Sequence, residues 1–122
     1  MFLVGSSIWI DHLRQSNRRL VELLDADLVC MHPCVVGEIA CGNLAARASR
    51  LYLLGLLPQI QVATDREVLF FIEKHQIAGK GVGYLDMHLL AAAALGALKL
   101  WTRDRRLNEV ASLLRLNASI AP

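Results

Sequence analysis

The sequence has no apolar run long enough to cross a membrane. The segment Leu89–Leu98 is apolar apart from one glycine, but it supplies only about half of the roughly 20 residues that a bilayer-spanning helix needs. It predicts a buried core helix instead. The chain also opens without a signal-peptide pattern, and we expect a cytoplasmic protein with no membrane partner.

Cysteine and net charge are also scarce. Three cysteines (Cys30, Cys34 and Cys41) cannot all pair internally, and the absence of a Cys-x-x-Cys motif argues against structural zinc. We expect them to be reduced, buried and small apolar residues. The net charge of +2 permits a nucleic-acid partner without requiring one. Arg103 and Arg105 flank Asp104, either as solvated helix surface or as phosphate contacts.

Apolar residues, by contrast, are abundant. They make up 55% of the 122 residues, and the mean hydropathy is +0.42. These values indicate one domain over residues 1–122, with a sheet buried on both faces or a sizeable interface. The leucines of Leu51–Leu57 favour an interface, and we predict a homodimer to which helices of the 20–60 region contribute.

Predicted strands alternate with predicted helices along the chain. The strands are expected at Phe2–Val4, Asp27–His32, Gln59–Ala63 and Leu98–Thr102, with a short last strand at Ala118–Ile120. Ser6 or Ser7 is expected to cap the helix after the first strand, and Thr64 and Glu67 are expected to form a capping box at the start of a later helix. This alternation predicts an α/β fold in which a parallel sheet of four to five strands has helices on both faces. Ligands in such sheets bind outside the carboxyl ends of the strands.

Acidic residues occur where strands end and helices begin. Glu38 and Asp86 interrupt strongly apolar helices, and Asp104 follows the strand that ends at Thr102. Each has a simpler interpretation: Glu38 as a surface residue, Asp86 as a first-turn residue answering the helix dipole, and Asp104 as a helix N-cap. Together they predict a site for Mg²⁺ or Mn²⁺, because carboxylates at strand ends hold such ions for phosphodiester hydrolysis. His88 lies near this site and is interpreted as a helix-packing residue.

Four segments of the chain, in order and at matching spacing, resemble the PIN-domain ribonucleases, and specifically the VapC-type toxins of bacterial toxin–antitoxin pairs. The segments are Phe2–Arg14, Val36–Gly42, Leu85–Ala92 and Leu100–Leu107. The resemblance implies a PIN-like three-layer fold. It also implies metal-dependent cleavage of single-stranded or looped RNA, and an antitoxin whose C-terminal segment fills the acidic pocket.

The resemblance also assigns roles to residues. It places Glu38, Asp86 and Asp104 as metal ligands or as acids close to the ligands, and Thr102 as the hydroxyl residue two before the last acid. Ser6 or Ser7 matches the small polar residue after the first acid. By position, Ser6, Ser7, Arg103 and Arg105 are expected to contact substrate.

The family's first aspartate falls on Gly5, where this sequence departs from the pattern. Removing a central carboxylate is expected to weaken metal binding and to slow cleavage by about 10²-fold or more. Three interpretations of Gly5 stay open: an inactivating change, a natural variant that binds its partner without cleaving, or a glycine that suits a tight strand-to-helix turn. The leading hypothesis is therefore an impaired ribonuclease toxin. The alternatives are a non-catalytic module that binds RNA or protein, and a DNA-directed nuclease of related fold.

Overall fold

The computed structural model describes residues 1–120 and forms a three-layer α/β fold. Positions 121 and 122, which the predicted domain includes, lie outside the described residues. Over residues 1–120 the elements are β1 (Phe2–Val4), α1 (Ser6–Arg14), α2 (Arg18–Asp25), β2 (Val29–Cys30), α3 (Pro33–Ala40), α4 (Arg47–Gly55), α5 (Asp65–His75), α6 (Tyr84–Gly96), β3 (Lys99–Trp101) and α7 (Arg105–Leu113).

The sheet is parallel, with β1 between β2 and β3. Leu3 pairs with Cys30 on one side and with Leu100 on the other. Because β1 is central, its carboxyl end meets the end of β3 at one edge of the sheet, and Gly5 follows there. The predicted α/β fold with a parallel sheet is confirmed.

The two outermost predicted strands are reduced to single parallel bridges, Met31 with Gln59 and Leu100 with Asn117. Three strands therefore form, and the count of four to five holds only if these bridges are included. Pro58 has no N–H to donate, and a helix cap at Thr64 redirects the chain after only a few residues.

The core lies between the sheet and α6. The central residues of α6, from Met87 to Ala93, are all buried, as are Leu3, Val4 and Leu100 of the sheet. The prediction of a buried core helix is confirmed for Leu89 to Ala93, whereas Ala94 to Ala97 of the predicted segment are exposed. Within residues 1–120, no helix combines the length and the apolar character that crossing a membrane requires.

The predicted N-cap is observed at one helix and is absent from another. At the start of α5, Thr64 Oγ1 accepts from Glu67 N at 3.1 Å while Thr64 N donates to Glu67 Oε1 at 2.9 Å, which is the predicted capping box. A serine was expected to cap α1, but Gly5 holds the N-cap position and no side chain caps that helix. The prediction that every cysteine is buried was also wrong, because Cys30 is buried whereas Cys41, just after α3, is exposed.

Candidate active site

A small cavity of about 120 Å³ opens where β1 and β3 end and where α1, α6 and α7 begin, with α3 beside it. It brings together the predicted acidic, hydroxyl and glycine positions. The lining residues are Gly5, Ser6, Ser7, Glu38, Asp86, Leu89, Thr102, Asp104 and Leu107. The position of the cavity follows from the parallel sheet, because the carboxyl ends of neighbouring strands meet at the same edge.

Gly5 has an ordinary extended backbone, with φ −69° and ψ 158°. Its N–H donates to Trp101 O at 2.8 Å. Any L-amino acid adopts this conformation, so the backbone of the turn into α1 does not require glycine, and only the close approach of Trp101 O favours a small residue here. A Cβ atom at this position would lie 3.3 Å from Trp101 O and 3.5 Å from Thr102 Oγ1. The first contact is tight and needs a small shift of the neighbouring strand.

Asp86 is the most perturbed carboxyl group of the cavity. It lies half-buried in the first turn of α6, and its pKa is raised to about 6. Burial is the main cause, and the negative charges of Glu38 and Asp104 add to it. Within residues 1–120, none of these three carboxylates forms an ion pair with a lysine or arginine. The cavity therefore concentrates negative charge that no protein cation neutralises.

Asp104 and Thr102 form a short hydrogen-bonded unit between β3 and α7. The Asp104 N–H donates to Thr102 Oγ1 at 3.0 Å, and Asp104 Oδ1 accepts from Leu107 N at 3.1 Å. Asp104 is thus the N-cap of α7, as the simpler interpretation held, and it also lines the cavity. Thr102 fixes the backbone from which this carboxylate projects.

The carboxylates suit a hard divalent cation in chemical type, because Mg²⁺ and Mn²⁺ prefer oxygen ligands. Their grouping is less favourable. Among residues 1–120, no three His, Cys, Asp or Glu side chains lie close enough together to hold one ion. Without a counter-charge, the negative charges of the carboxylates repel one another. A carboxylate at position 5 would reach the same cavity, but Gly5 has no side chain to contribute a ligand. The cavity therefore offers the type of ligand atom that the ion prefers, but too few ligands.

The two predicted arginine contacts lie outside the cavity. Arg103 forms an ion pair with Asp11 of α1, and Arg105 Nε lies 3.3 Å from Glu109 Oε1 within α7. Sequence analysis did not identify the contact between Asp11 and Arg103. These two residues are 92 positions apart, so no local spacing signals their contact.

Comparisons with known proteins agree with the fold described above. The PIN domain profile matches residues 2–113. The chain is 45% identical over 108 residues to Ribonuclease VapC32 from two strains of Mycobacterium tuberculosis. The aligned region covers 88% of this chain and 87% of the relative.

Two solved structures share the fold. One is the crystal structure of FitAcB from Neisseria gonorrhoeae, with a TM-score of 0.63 and 21% identity over 92% of this chain and 94% of that one. The other is FitAB bound to an IR36 DNA fragment, with a TM-score of 0.57 and 21% identity over 85% of each chain. The profile match covers nearly the whole chain, and the relative is close. The chain belongs to the PIN-domain family.

Proposed function

We propose that this chain is a metal-dependent endoribonuclease toxin of the VapC type, acting as one domain over residues 1–122, with cleavage impaired by Gly5. The observation that carries the proposal is the convergence of Glu38, Asp86 and Asp104 on one cavity beside Gly5. The 45% identity to a protein named as a ribonuclease supports the choice of RNA as substrate.

Glu38, Asp86 and Asp104 would bind Mg²⁺ or Mn²⁺ only weakly in this cavity, because Gly5 leaves the ligand set one carboxylate short and no three acids among residues 1–120 are grouped closely enough to hold one ion. A bound ion would activate water for attack and would neutralise charge on the scissile phosphate. Thr102 holds Asp104 in place through the backbone N–H that it accepts. Ser6 and Ser7 offer hydroxyl groups to phosphate oxygens at the cavity wall. Leu89 and Leu107 supply an apolar side that limits water around the carboxylates.

Gly5 weakens this arrangement by leaving the cavity one carboxylate short. The backbone at position 5 accepts a side chain, and a Cβ atom there would lie beside Thr102. The loss is therefore one of chemistry and not of fold. By analogy with the removal of a preorganised charged group, we expect cleavage to be slower by about 10²-fold or more.

Arg103 and Arg105 would contact RNA on the surface next to the cavity. The Arg105 side chain is almost fully exposed and the Arg103 side chain is partly exposed, and both pair with carboxylates at the surface, where such pairs are weak and exchange readily for phosphate. An antitoxin is the natural inhibitor of this site. Because the three carboxylates lack a cationic partner, its C-terminal segment would place a basic side chain in the cavity.

A homodimer is supported by the surface of the chain. Its accessible area is 7274 Å², whereas a monomer of this mass is expected to expose about 6,500 Å². The chain therefore exposes more surface than an average monomer of its mass. Tyr52 and Leu53 of α4, with Leu56 just after it, form an exposed apolar patch within the 20–60 region, and we place the dimer contact there.

One alternative is a non-catalytic PIN-like module that binds RNA or protein. It is favoured by Gly5 and by the spacing of the carboxylates, because among residues 1–120 no three acids are grouped closely enough to hold one ion. Calorimetric titration with Mn²⁺ separates the two proposals. A ribonuclease site binds the ion even in this chain, and binding is lost in Asp86→Asn. If the present chain and Gly5→Asp both bind no Mn²⁺, the binding module replaces the ribonuclease.

A further inference from the structure

Outside the cavity, a buried histidine begins α3. His32 is fully buried, and its Nδ1 accepts the backbone N–H of Cys34 at 2.9 Å as the N-cap of the helix. A nitrogen that accepts in this way carries no proton, so the proton of the neutral ring lies on Nε2. Burial and the nearby His88 lower the pKa of His32 and keep the ring neutral. Its Nε2–H is buried without a hydrogen-bond partner.

A second buried histidine lies on α6. His88 Nε2 is 3.0 Å from Asp65 Oδ1, and the same oxygen accepts from Tyr84 Oη at 2.6 Å. Hydrogen bonds from Tyr84 and His88 lower the pKa of Asp65, so this carboxylate is an acceptor and His88 Nε2 is the donor. In the neutral form of the ring, Nδ1 is then an acceptor. That nitrogen is also buried without a partner.

The two unpartnered nitrogens are complementary, one a donor and the other an acceptor. The rings face each other edge to face with centroids 6.4 Å apart, and no direct hydrogen bond joins them. Two unpaired buried polar atoms are costly, whereas one water molecule between polar groups satisfies both. We propose that His32 Nε2–H is linked to His88 Nδ1 through one buried water, and that this link fixes the placement of α3 relative to α6.

The link matters because these two helices carry Glu38 and Asp86. The hydrogen bonds form a continuous series in which every donor points the same way, from the Cys34 N–H through both rings to the Asp65 carboxylate. Each hydrogen bond therefore strengthens the next. His32 and His88 are therefore positioning residues for the acidic cavity. This role, unlike the link itself, rests on the proposed metal-binding function.

One substitution separates the link from helix capping. His32→Asn retains a good N-cap residue for α3 but is too short to reach His88. His75→Asn is the matched control, since His75 lies on α5 and packs against Phe71 with ring centroids 4.5 Å apart. If His32→Asn fails to fold, His88→Phe removes the acceptor from the other side.

The link is measured by ¹⁵N NMR of the imidazole rings without metal. We expect both rings as Nε2–H tautomers, with His88 Nδ1 at the resonance of a hydrogen-bonded acceptor. In His32→Asn that resonance moves to the value of a free imine nitrogen, and in His88→Phe the His32 Nε2 proton exchanges faster with solvent. His75→Asn changes neither. An Nδ1–H tautomer for His32, or signals unmoved by both variants, would overturn the link.

The positioning role is measured by Mn²⁺ binding in a Gly5→Asp background. Adding His32→Asn should weaken affinity by about 10-fold, as when groups that orient metal ligands are removed, and adding His75→Asn should not. Equal affinity in the two variants contradicts the positioning role. If Gly5→Asp itself binds no Mn²⁺, the proposed function and the positioning role both fail, while the NMR result still decides the link.

Discussion

Gly5 lies directly beside Thr102, so that a Cβ atom at position 5 would be 3.5 Å from Thr102 Oγ1. Both residues line the cavity that also contains Asp86. The backbone at position 5 is extended and acceptable to any residue. A carboxylate placed at Gly5 would therefore join the other acids without remodelling the turn.

Gly5 precedes α1 as an uncapped N-cap residue, and its replacement should separate capping from charge. We expect Gly5→Asn to change the free energy of unfolding by only a few tenths of a kcal/mol, because better helix capping by asparagine is offset by the tight 3.3 Å approach of its Cβ atom to Trp101 O. Gly5→Asp should be less stable than Gly5→Asn at pH 7 without metal, and no more stable than the present chain, because its charge adds to three others. Urea denaturation measures both differences. An aspartate variant as stable as the asparagine variant would place the other carboxylates too far away to matter.

The Asp86 carboxyl group should lower the free energy of unfolding as pH rises. Its pKa is about 6 in the folded state against 3.8 for the free group, so between these values the folded chain holds a proton that the unfolded chain has released. The penalty grows from pH 4 to 6 and is complete above. Asp86→Asn should therefore be more stable than the parent at pH 7. Because solvent screens the exposed part of Asp86, we expect ~1 kcal/mol and not the ~3 kcal/mol to which the whole pKa difference converts.

Unfolding at pH 4 and at pH 7 checks this prediction for Asp86→Asn, with Glu73→Gln on the exposed surface of α5 as the control. The advantage of Asp86→Asn should vanish near pH 4, and the control should show little change at either pH. An advantage that is equal at both values would mean that Asp86 is destabilising for a reason other than its charge.

The capping box at the start of α5 gives a local test of stability. Thr64→Ala should lower the free energy of unfolding by ~1 kcal/mol, because Glu67 N loses its acceptor. Thr64→Ser retains the hydroxyl on an exposed residue and should remain within a few tenths of a kcal/mol of the parent. Thermal unfolding of the three proteins decides it. Equal losses in both variants would contradict a capping role.

The capping box was predictable because its partners lie three residues apart, as was the buried α6 from its apolar run. The acids were predictable as a group because strand ends in a parallel sheet share an edge. Contacts between distant positions were not. The pair of Asp11 with Arg103 and the facing rings of His32 and His88 depend on how whole helices pack. The two predicted edge strands form only one bridge each, and the apolar pattern of the sequence does not show how many residues of a segment will pair.

The apolar patch on α4 should govern self-association. We expect a dimer at micromolar concentration in sedimentation velocity, and a monomer for Leu53→Arg, because a charge on this exposed patch would be buried on pairing. Phe70→Arg, on the exposed apolar surface of α5, is the matched control and should stay dimeric. A dimer that survives Leu53→Arg and dissociates with Phe70→Arg would move the interface to α5. A parent that is monomeric would exclude the homodimer under these conditions.

RNA cleavage by Gly5→Asp tests the central claim most directly. The present chain and Gly5→Asp are compared on a panel of single-stranded and looped RNAs with Mn²⁺, alongside Gly5→Asn and the double variant Gly5→Asp with Asp86→Ala. We predict that cleavage by Gly5→Asp exceeds that of the present chain by about 10²-fold or more, and that Gly5→Asn and the double variant do not share this gain. If Gly5→Asp cleaves no RNA in the panel beyond the level of Gly5→Asn, the impaired-ribonuclease proposal is contradicted.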